Sequence, residues 1–145
     1  MIEQKRGVAQ YITSGCIRVG KFSWEERLRH IFEGLSEVII QYSPQVMAIE
    51  RIFVHKNVAS ALKLGQVRGV AMLAASLKGL NFAEYTARQV KKAAVGYGAA
   101  DKSQMQHMMQ ALLKLSGKPQ TDAADALAVA YCHGQTSRGL SVCEN

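Results

Sequence analysis

The feature that most restricts the fold of this chain is an alternation of short apolar runs with longer stretches of helical spacing. Residues 8–18 are rich in β-forming side chains, and residues 46–49 and Asn81–Tyr85 are short apolar runs, so all three are predicted strands. Between and after them, apolar residues recur every three or four positions, which indicates helices. The order β-α-β-α-β-α-α-α predicts an α/β protein with helices covering a mixed sheet.

The predicted helices are bounded by residues that favour helix starts and stops. They extend from a Ser23 cap to Gln41, over residues 56–78, from a Thr86 cap to about Ala94, over residues 102–115 and over residues 121–133. Two prolines, Pro44 and Pro119, interrupt the helical pattern. We expect one domain over residues 1–133 and a frayed C-terminal tail over residues 134–145.

The positive charge of the chain is concentrated in its middle third. The net charge is +7, and residues 51–100 hold eight basic residues but one acidic residue, Glu84. Such a segment is typical of proteins that bind a polyanion, because each cation can neutralise a phosphate and release a counterion. A basic surface that only favours solubility would have the same composition, so charge alone leaves both interpretations open.

Composition excludes several classes of protein. Cys16, Cys132 and Cys143 have no paired spacing, so we predict no disulfide or zinc framework and expect a cytoplasmic setting. The best membrane-span candidate, residues 70–77, is too short, and the N-terminus lacks the apolar core of a signal peptide. There is also no glycine-rich phosphate loop followed by Lys and Ser or Thr.

Three carboxylates stand where an α/β protein can hold a metal ion. Glu50 comes directly after the strand at residues 46–49, and α/β sheets place ligands at such strand ends. Asp122 and Asp125 lie three residues apart among alanines at the start of the last helix, so we expect at least one to face inward. Together the three would form an oxygen-ligand site for Mg²⁺ or Mn²⁺. A polar strand terminus and ordinary helix capping are the alternative explanations.

Several segments, all in one order along the chain, resemble a known family. They are residues 48–53 (AIERIF), 57–70 (NVASALKLGQVRGV), 87–91 (ARQVK), 95–104 (VGYGAADKSQ) and 121–128 (TDAADALA), with residues 14–18 (SGCIR) similar to the family's third strand. From about residue 8 to residue 133, the chain resembles the RuvC family, the Holliday-junction resolvases of bacteria.

The resemblance implies a ribonuclease-H-like fold and a homodimeric, Mg²⁺-dependent endonuclease, with Mn²⁺ as a possible substitute. Such enzymes nick two opposing strands of four-way junction DNA symmetrically, in recombination and repair. The resemblance also implies, as partners, the branch-migration motor proteins of the same pathway. A ridge of small residues, Ala61, Gly65 and Gly69, is our candidate for part of the dimer interface, and tight packing on the sheet is its alternative.

The resemblance assigns chemistry to four residues. Glu50, Asp122 and Asp125 match three of the family's four metal-binding acids. Lys102 matches a lysine near the scissile phosphate, where a positive charge would stabilise the negative charge that develops during cleavage. These four residues are the predicted catalytic set.

The resemblance also implies which residues contact DNA. Lys91 matches a basic residue that reaches the DNA, and Phe53 matches an aromatic residue that stacks on bases at the junction. Simple packing is the alternative for Phe53. Arg88, Lys92 and Lys56 are further candidates for phosphate contacts.

One feature of the family has no counterpart in this chain. Family members begin with a strand whose Asp-x-Gly-type motif supplies the fourth metal ligand, whereas no Asp precedes Asp101 here. We therefore expect a sheet that lacks the family's first strand. If the start is wrongly assigned or the chain is truncated, the natural protein is expected to be active, whereas a chain that is complete as written is expected to be catalytically impaired. The alternative function is a junction-binding module without nuclease activity. A third interpretation is a related nuclease that acts on another structured nucleic acid.

Overall fold

The computed structural model describes residues 1–52, 57–96 and 101–140. The strands in these ranges are β1 (Ile2–Lys5), β2 (Val8–Tyr11), β3 (Val46–Glu50) and β4 (Asn81–Tyr85). The helices are α1 (Trp24–Tyr42), α2 (Val58–Leu77), α3 (Ala87–Val95), α4 (Lys102–Leu112) and α5 (Thr121–Leu140). The predicted α/β class is confirmed. None of the described helices is both long and apolar enough to cross a membrane.

Strands β1 and β2 form an antiparallel hairpin in which Ile2 pairs with Tyr11. The two turn residues, Arg6 and Gly7, both have positive φ, which suits the right-handed twist of a two-residue hairpin. The strand predicted over residues 8–18 is wrong beyond Tyr11. The backbone N–H groups of Ile12 and Thr13 both donate to the carbonyl of Met1, so the regular hydrogen-bond ladder of the hairpin ends at the pair of Ile2 and Tyr11.

Strands β3 and β4 pair with each other in a second two-stranded sheet. The N–H of Asn81 donates to the carbonyl of Gln45 over 3.0 Å, and the N–H of Arg51 donates to the carbonyl of Tyr85 over 2.8 Å. Because the two strand starts lie together and the two strand ends lie together, β3 and β4 run parallel.

The capping residues predicted for α1 and α3 are confirmed. The Ser23 hydroxyl accepts from the N–H of Glu26, and the Glu26 carboxylate accepts in return from the N–H of Ser23. This return bond holds the pKa of Glu26 below its ordinary value. Thr86 and Gln89 make the same reciprocal pair at the start of α3. These motifs satisfy N–H groups that have no partner inside the helix.

The last helix extends seven residues past its predicted end at His133, so residues 134–140 are helical rather than frayed. The hydroxyls of Thr136 and Ser137 donate to the carbonyls of Cys132 and His133 one turn earlier. Gly134 is buried in the same stretch. Bonds within the helix and the burial of Gly134 therefore accompany helical structure in a segment whose local composition is typical of a tail.

The chain forms two compact units. The first contains Met1–Cys16, Ala48–Arg51 and Glu84–Asn145, and the second contains Ile17–Met47 and Ile52–Ala83. The single domain predicted for residues 1–133 stays a prediction.

Helix α5 forms the centre of the first unit and packs against α3, α4 and β1. Its inward face consists of small and aliphatic side chains, namely Ala123, Ala124, Leu127, Ala128, Val129 and Cys132. Small side chains allow helices to approach closely. In the second unit α1 packs on α2, and the indole N–H of Trp24 donates to the Gln66 side-chain oxygen over 2.6 Å.

Candidate functional site

A cavity of about 240 Å³ lies within the first unit. Its walls come from the end of β3, from α3, from the start of α4 and from α5. The lining residues are Glu50, Ala87, Val90, Lys91, Asp101, Lys102, Met105, Asp125 and Ala128. Four of the lining residues are apolar, and the charged ones are three acids and two lysines.

Two of the three predicted metal-binding acids lie on this cavity. Glu50 is the last residue of β3, and the hydrogen bond from the next residue, Arg51, to Tyr85 fixes that strand end. Asp125 lies in the first turns of α5, where its neighbours Ala124 and Ala128 are fully buried and anchor the helix. The structure therefore brings together a strand-end carboxylate and a helix carboxylate that are 75 positions apart in sequence.

Asp122 does not line the cavity, and the expectation that one of the two aspartates faces inward is wrong. Both Asp122 and Asp125 are exposed, and no charged side chain in the described ranges is buried. The alanines of α5 take the inward face instead, because burial of an unpaired carboxylate is costly. Within the same ranges no three His, Cys, Asp or Glu side chains form a metal-binding group.

The third carboxylate on the cavity is Asp101, which was not among the predicted site residues. Its carboxylate accepts from the N–H of Gln104 over 2.8 Å, and the Gln104 side chain accepts from the N–H of Asp101 over 3.0 Å. The spacing of Asp and Gln at the start of a helix is a recognisable capping signature, so the sequence contained the signal. This cap sets the first helical residue, Lys102, on the cavity wall.

Two of the predicted basic residues, Lys91 and Lys102, lie on the cavity, and two more continue along α3. Arg88 and Lys92 are exposed, and Arg88 precedes Lys91 and Lys92 by three and four residues, so it neighbours each of them on the helix surface. None of these four cations makes an ion pair within the described part of the chain. Unpaired cations beside a cavity attract phosphate groups. Phe53 and Lys56 lie outside the described residues.

A contact between residues outside the cavity lining connects the end of β4 to α5. The Tyr85 hydroxyl and the Nδ1 atom of His133 are hydrogen-bonded at 2.8 Å, and the two rings meet edge to face. Burial raises the pKa of Tyr85 and lowers the pKa of His133. Both groups are therefore uncharged at neutral pH.

The donor chemistry of the cavity fits a hard divalent cation. The carboxylate oxygens of Glu50 and Asp125 are the ligand type that Mg²⁺ and Mn²⁺ prefer. Mg²⁺ commonly binds through one or two protein carboxylates, with water and substrate phosphate as the other ligands. A lining that contains both carboxylates and lysines therefore has groups for a metal ion and for a phosphate.

Comparison with known proteins shows the family of this chain. The family model described as "Crossover junction endodeoxyribonuclease RuvC" matches residues 1–133. A RuvC protein of Tolumonas auensis is 54% identical over 140 residues, which cover 97% of this chain and 81% of that protein. A RuvC protein of Pseudoalteromonas atlantica is 56% identical over 131 residues, covering 90% of this chain and 76% of its own length.

Solved structures agree with the sequence comparisons. A Thermus thermophilus RuvC structure superposes with a TM-score of 0.81 at 28% identity, over 96% of this chain and 86% of that one. A second structure, of T. thermophilus RuvC in complex with Holliday junction substrate, gives a TM-score of 0.86 at 27% identity, over 95% and 86% of the two chains. The predicted ribonuclease-H-like fold is confirmed. This chain belongs to the RuvC family of crossover junction endodeoxyribonucleases.

Proposed function

We propose that this chain is a structure-selective endonuclease that resolves four-way DNA junctions in recombination and repair by metal-dependent hydrolysis of phosphodiester bonds. The observation that carries the proposal is the cavity where the carboxylates of Glu50 and Asp125 lie beside Lys91 and Lys102. Membership of the RuvC family supports the substrate class. The alternative, a junction-binding module without activity, is not favoured by relatives that are named endonucleases.

Glu50 and Asp125 are the proposed metal ligands, with Asp122 as a third candidate on the same helix. A bound divalent cation lowers the pKa of water and stabilises the attacking and leaving oxygens of an in-line displacement. Mg²⁺ is the proposed cofactor and Mn²⁺ its substitute. Asp122 precedes Asp125 by three residues, less than one helical turn, so its carboxylate is within the reach of a shared ligand set.

The two lysines on the cavity are proposed to orient the scissile phosphate. Lys102 is the first residue of α4, so its ammonium group acts together with the positive end of the helix dipole. Lys91 contributes a second point charge from α3. Fixed positive charges placed where negative charge develops stabilise the transition state without reorganisation.

Beyond the cavity, Arg88 and Lys92 are proposed to hold the DNA backbone on the exposed side of α3. Lys56 and Phe53 remain predicted DNA contacts. Each phosphate contact steepens the dependence of log binding constant on log salt by about 0.9. A double variant, Arg88→Gln with Lys92→Gln, is therefore expected to flatten that slope by about 2 units if both cations neutralise phosphates.

We also propose that α2 supplies the homodimer interface. Val58, Leu62 and Leu77 are each about two-thirds exposed on this helix. A Cβ atom placed on Gly65 or Gly69 would have no neighbour within 4 Å, so the alternative of tight packing on the sheet does not describe these glycines. A two-fold dimer would place two cavities on one junction for symmetric cuts. Sedimentation of wild type and Leu62→Glu tests this proposal, with a dimer and a monomer as the expected results.

Cleavage of a synthetic four-way junction tests the nuclease proposal. We expect paired nicks in opposing strands with Mg²⁺ or Mn²⁺, and none in EDTA or on linear duplex of the same sequence. Glu50→Gln and Asp125→Asn are expected to abolish nicking but to keep junction binding in gel-shift assays with Ca²⁺. Glu37→Gln, an exposed acid of α1, is the matched control.

Junction binding that never leads to nicking by the wild-type protein with either metal would contradict the nuclease proposal. Equal nicking of duplex and RNA–DNA hybrid would favour a related nuclease of broader substrate range. The cytoplasm is the proposed setting, because the substrate is cellular DNA and the cysteines show no disulfide spacing. Branch-migration motor proteins of the same pathway are proposed partners, and co-purification with and without junction DNA tests them.

A further inference from the structure

Tyr85 contacts or adjoins three elements that line the cavity, namely the end of β3, the start of α3 and helix α5. Its carbonyl accepts a 2.8 Å hydrogen bond from Arg51, the residue that follows Glu50. The next residue, Thr86, caps α3, the helix that carries Lys91. Its side chain is almost fully buried, with 8% of its surface exposed. A displacement of Tyr85 would therefore move the strand end of Glu50 and the start of α3 together.

The hydroxyl of Tyr85 reaches the third of these elements, α5, through His133. The hydroxyl lies 2.8 Å from Nδ1 of His133, and the ring centroids are 5.9 Å apart with an interplanar angle of 61°. His133 follows Asp125 on the same helix by eight residues, about 12 Å along its axis. The contact therefore links the backbone that presents Glu50 to the helix that presents Asp125.

We propose that Tyr85 and His133 are positioning residues that keep Glu50 and Asp125 in register across the cavity. The inference rests on the proposed function of these two carboxylates as metal ligands. Side chains on separate elements bind a cation tightly only when other contacts hold those side chains close to the required geometry. Neither Tyr85 nor His133 lines the cavity, so both act through the elements that they join.

Three variants isolate the hydrogen bond. Tyr85→Phe keeps the ring and removes the hydroxyl, His133→Ala removes the ring, and His133→Asn places an amide close to the position of Nδ1. Tyr11→Phe is the matched control, because it makes the same chemical change in the first unit and removes a 3.1 Å contact with Ser14 away from the cavity.

The main readout is Mn²⁺ binding, measured from the electron paramagnetic resonance signal of free Mn²⁺ without DNA. We expect Tyr85→Phe and His133→Ala each to raise the Mn²⁺ Kd by about 10-fold, the lower end of the effect for contacts that support ligands. The double variant should be no weaker than either single variant, because both remove the same bond. His133→Asn should bind Mn²⁺ more tightly than His133→Ala when Tyr85 is present. In the Tyr85→Phe background the two substitutions should give the same Mn²⁺ Kd.

Junction nicking and urea unfolding separate positioning from a merely structural role. For positioning, the nicking rate of Tyr85→Phe should return towards the wild-type rate at saturating Mn²⁺. An unchanged Mn²⁺ Kd in Tyr85→Phe and His133→Ala, with only the unfolding midpoint lowered, would overturn the inference and leave the nuclease proposal intact. If Tyr85→Phe does not fold, the Mn²⁺ Kd of His133→Asn is compared with that of His133→Ala, and equal values would overturn the inference. A wild-type protein that neither binds Mn²⁺ nor nicks junctions would overturn both.

Discussion

Gly134 on α5 offers a quantitative test of how closely the last helix approaches the N-terminal hairpin. A Cβ atom added at this position would lie 3.0 Å from Cδ and 3.1 Å from Cγ of Gln4, and closer still to Nε2. Gln4 belongs to β1, which packs on α5. Such distances are too short for carbon contacts, so Gly134→Ala must displace the Gln4 side chain or the helix.

Two opposing effects determine the result of Gly134→Ala. Ala in a helix interior is more favourable than Gly by about 0.8–1.0 kcal/mol. Overpacking at a close contact costs about 1–3 kcal/mol. The net expectation is a loss of about 0–2 kcal/mol in the free energy of unfolding.

Gly65→Ala is the matched control, because Gly65 lies inside α2 and an added Cβ would meet nothing within 4 Å. It should stabilise the protein by about 0.8–1.0 kcal/mol. Because both variants gain the same helix propensity, the free energies of unfolding of the two variants should differ by the overpacking cost alone, about 1–3 kcal/mol. Urea unfolding followed by circular dichroism measures both variants. Repetition at several protein concentrations separates folding from association through α2.

Gln4→Ala should reduce the loss of stability caused by Gly134→Ala, because it removes the side chain that the added Cβ would contact too closely. In a double-mutant cycle the coupling energy should therefore be favourable by about 0.5–3 kcal/mol. Equal stabilisation by Gly134→Ala and Gly65→Ala would refute the close approach of α5 to β1. If Gly134→Ala and Gln4→Ala show no coupling energy, any loss of stability in Gly134→Ala comes from a contact other than Gln4.

Further changes probe α4, the core and the response to pH. Asp101→Ala should cost about 0.5–2 kcal/mol in urea unfolding and slow junction nicking, because it removes the cap that sets Lys102, whereas Asp101→Asn should keep the cap. Leu127, with 1% of its surface exposed, is a core anchor of α5, and Leu127→Ala should cost about 2–5 kcal/mol. Burial lowers the pKa of His133 from its ordinary value of 6.5. Below that pH, His133 is therefore protonated more readily in the unfolded state than in the folded state. Stability should therefore decrease as pH falls below 6.5, and unfolding midpoints of His133→Asn should show a weaker decrease over that window.

Local signals in the sequence predicted most of the element boundaries and four of the five charged residues that line the cavity. Ser23 and Thr86 start their helices as expected, because a cap needs only the N–H groups of the next turn. Glu50 ends β3 as expected, since an apolar run closed by a charge is itself the signal of a strand end. The motifs around these residues also identify the family, because they are contiguous in the chain.

Features that depend on distant partners were not predictable in this way. Residues 12–18 have β-forming side chains but form no strand, and regular pairing with β1 ends at Tyr11, opposite Ile2. Helix α5 extends to Leu140 against a tail-like composition, since packing rather than propensity stabilises most helices.

The sequence by itself determined the alternation of strands and helices, the capped helix starts and the family motifs that contain Glu50, Lys102 and Asp125. Only the tertiary structure decided which of these residues share a cavity. It placed Asp101 on the cavity, left Asp122 exposed and outside the cavity lining, and joined Tyr85 to His133. The physical reason is that a local pattern specifies the direction of a side chain relative to its own helix or strand. The side chains that it meets depend on how distant elements pack.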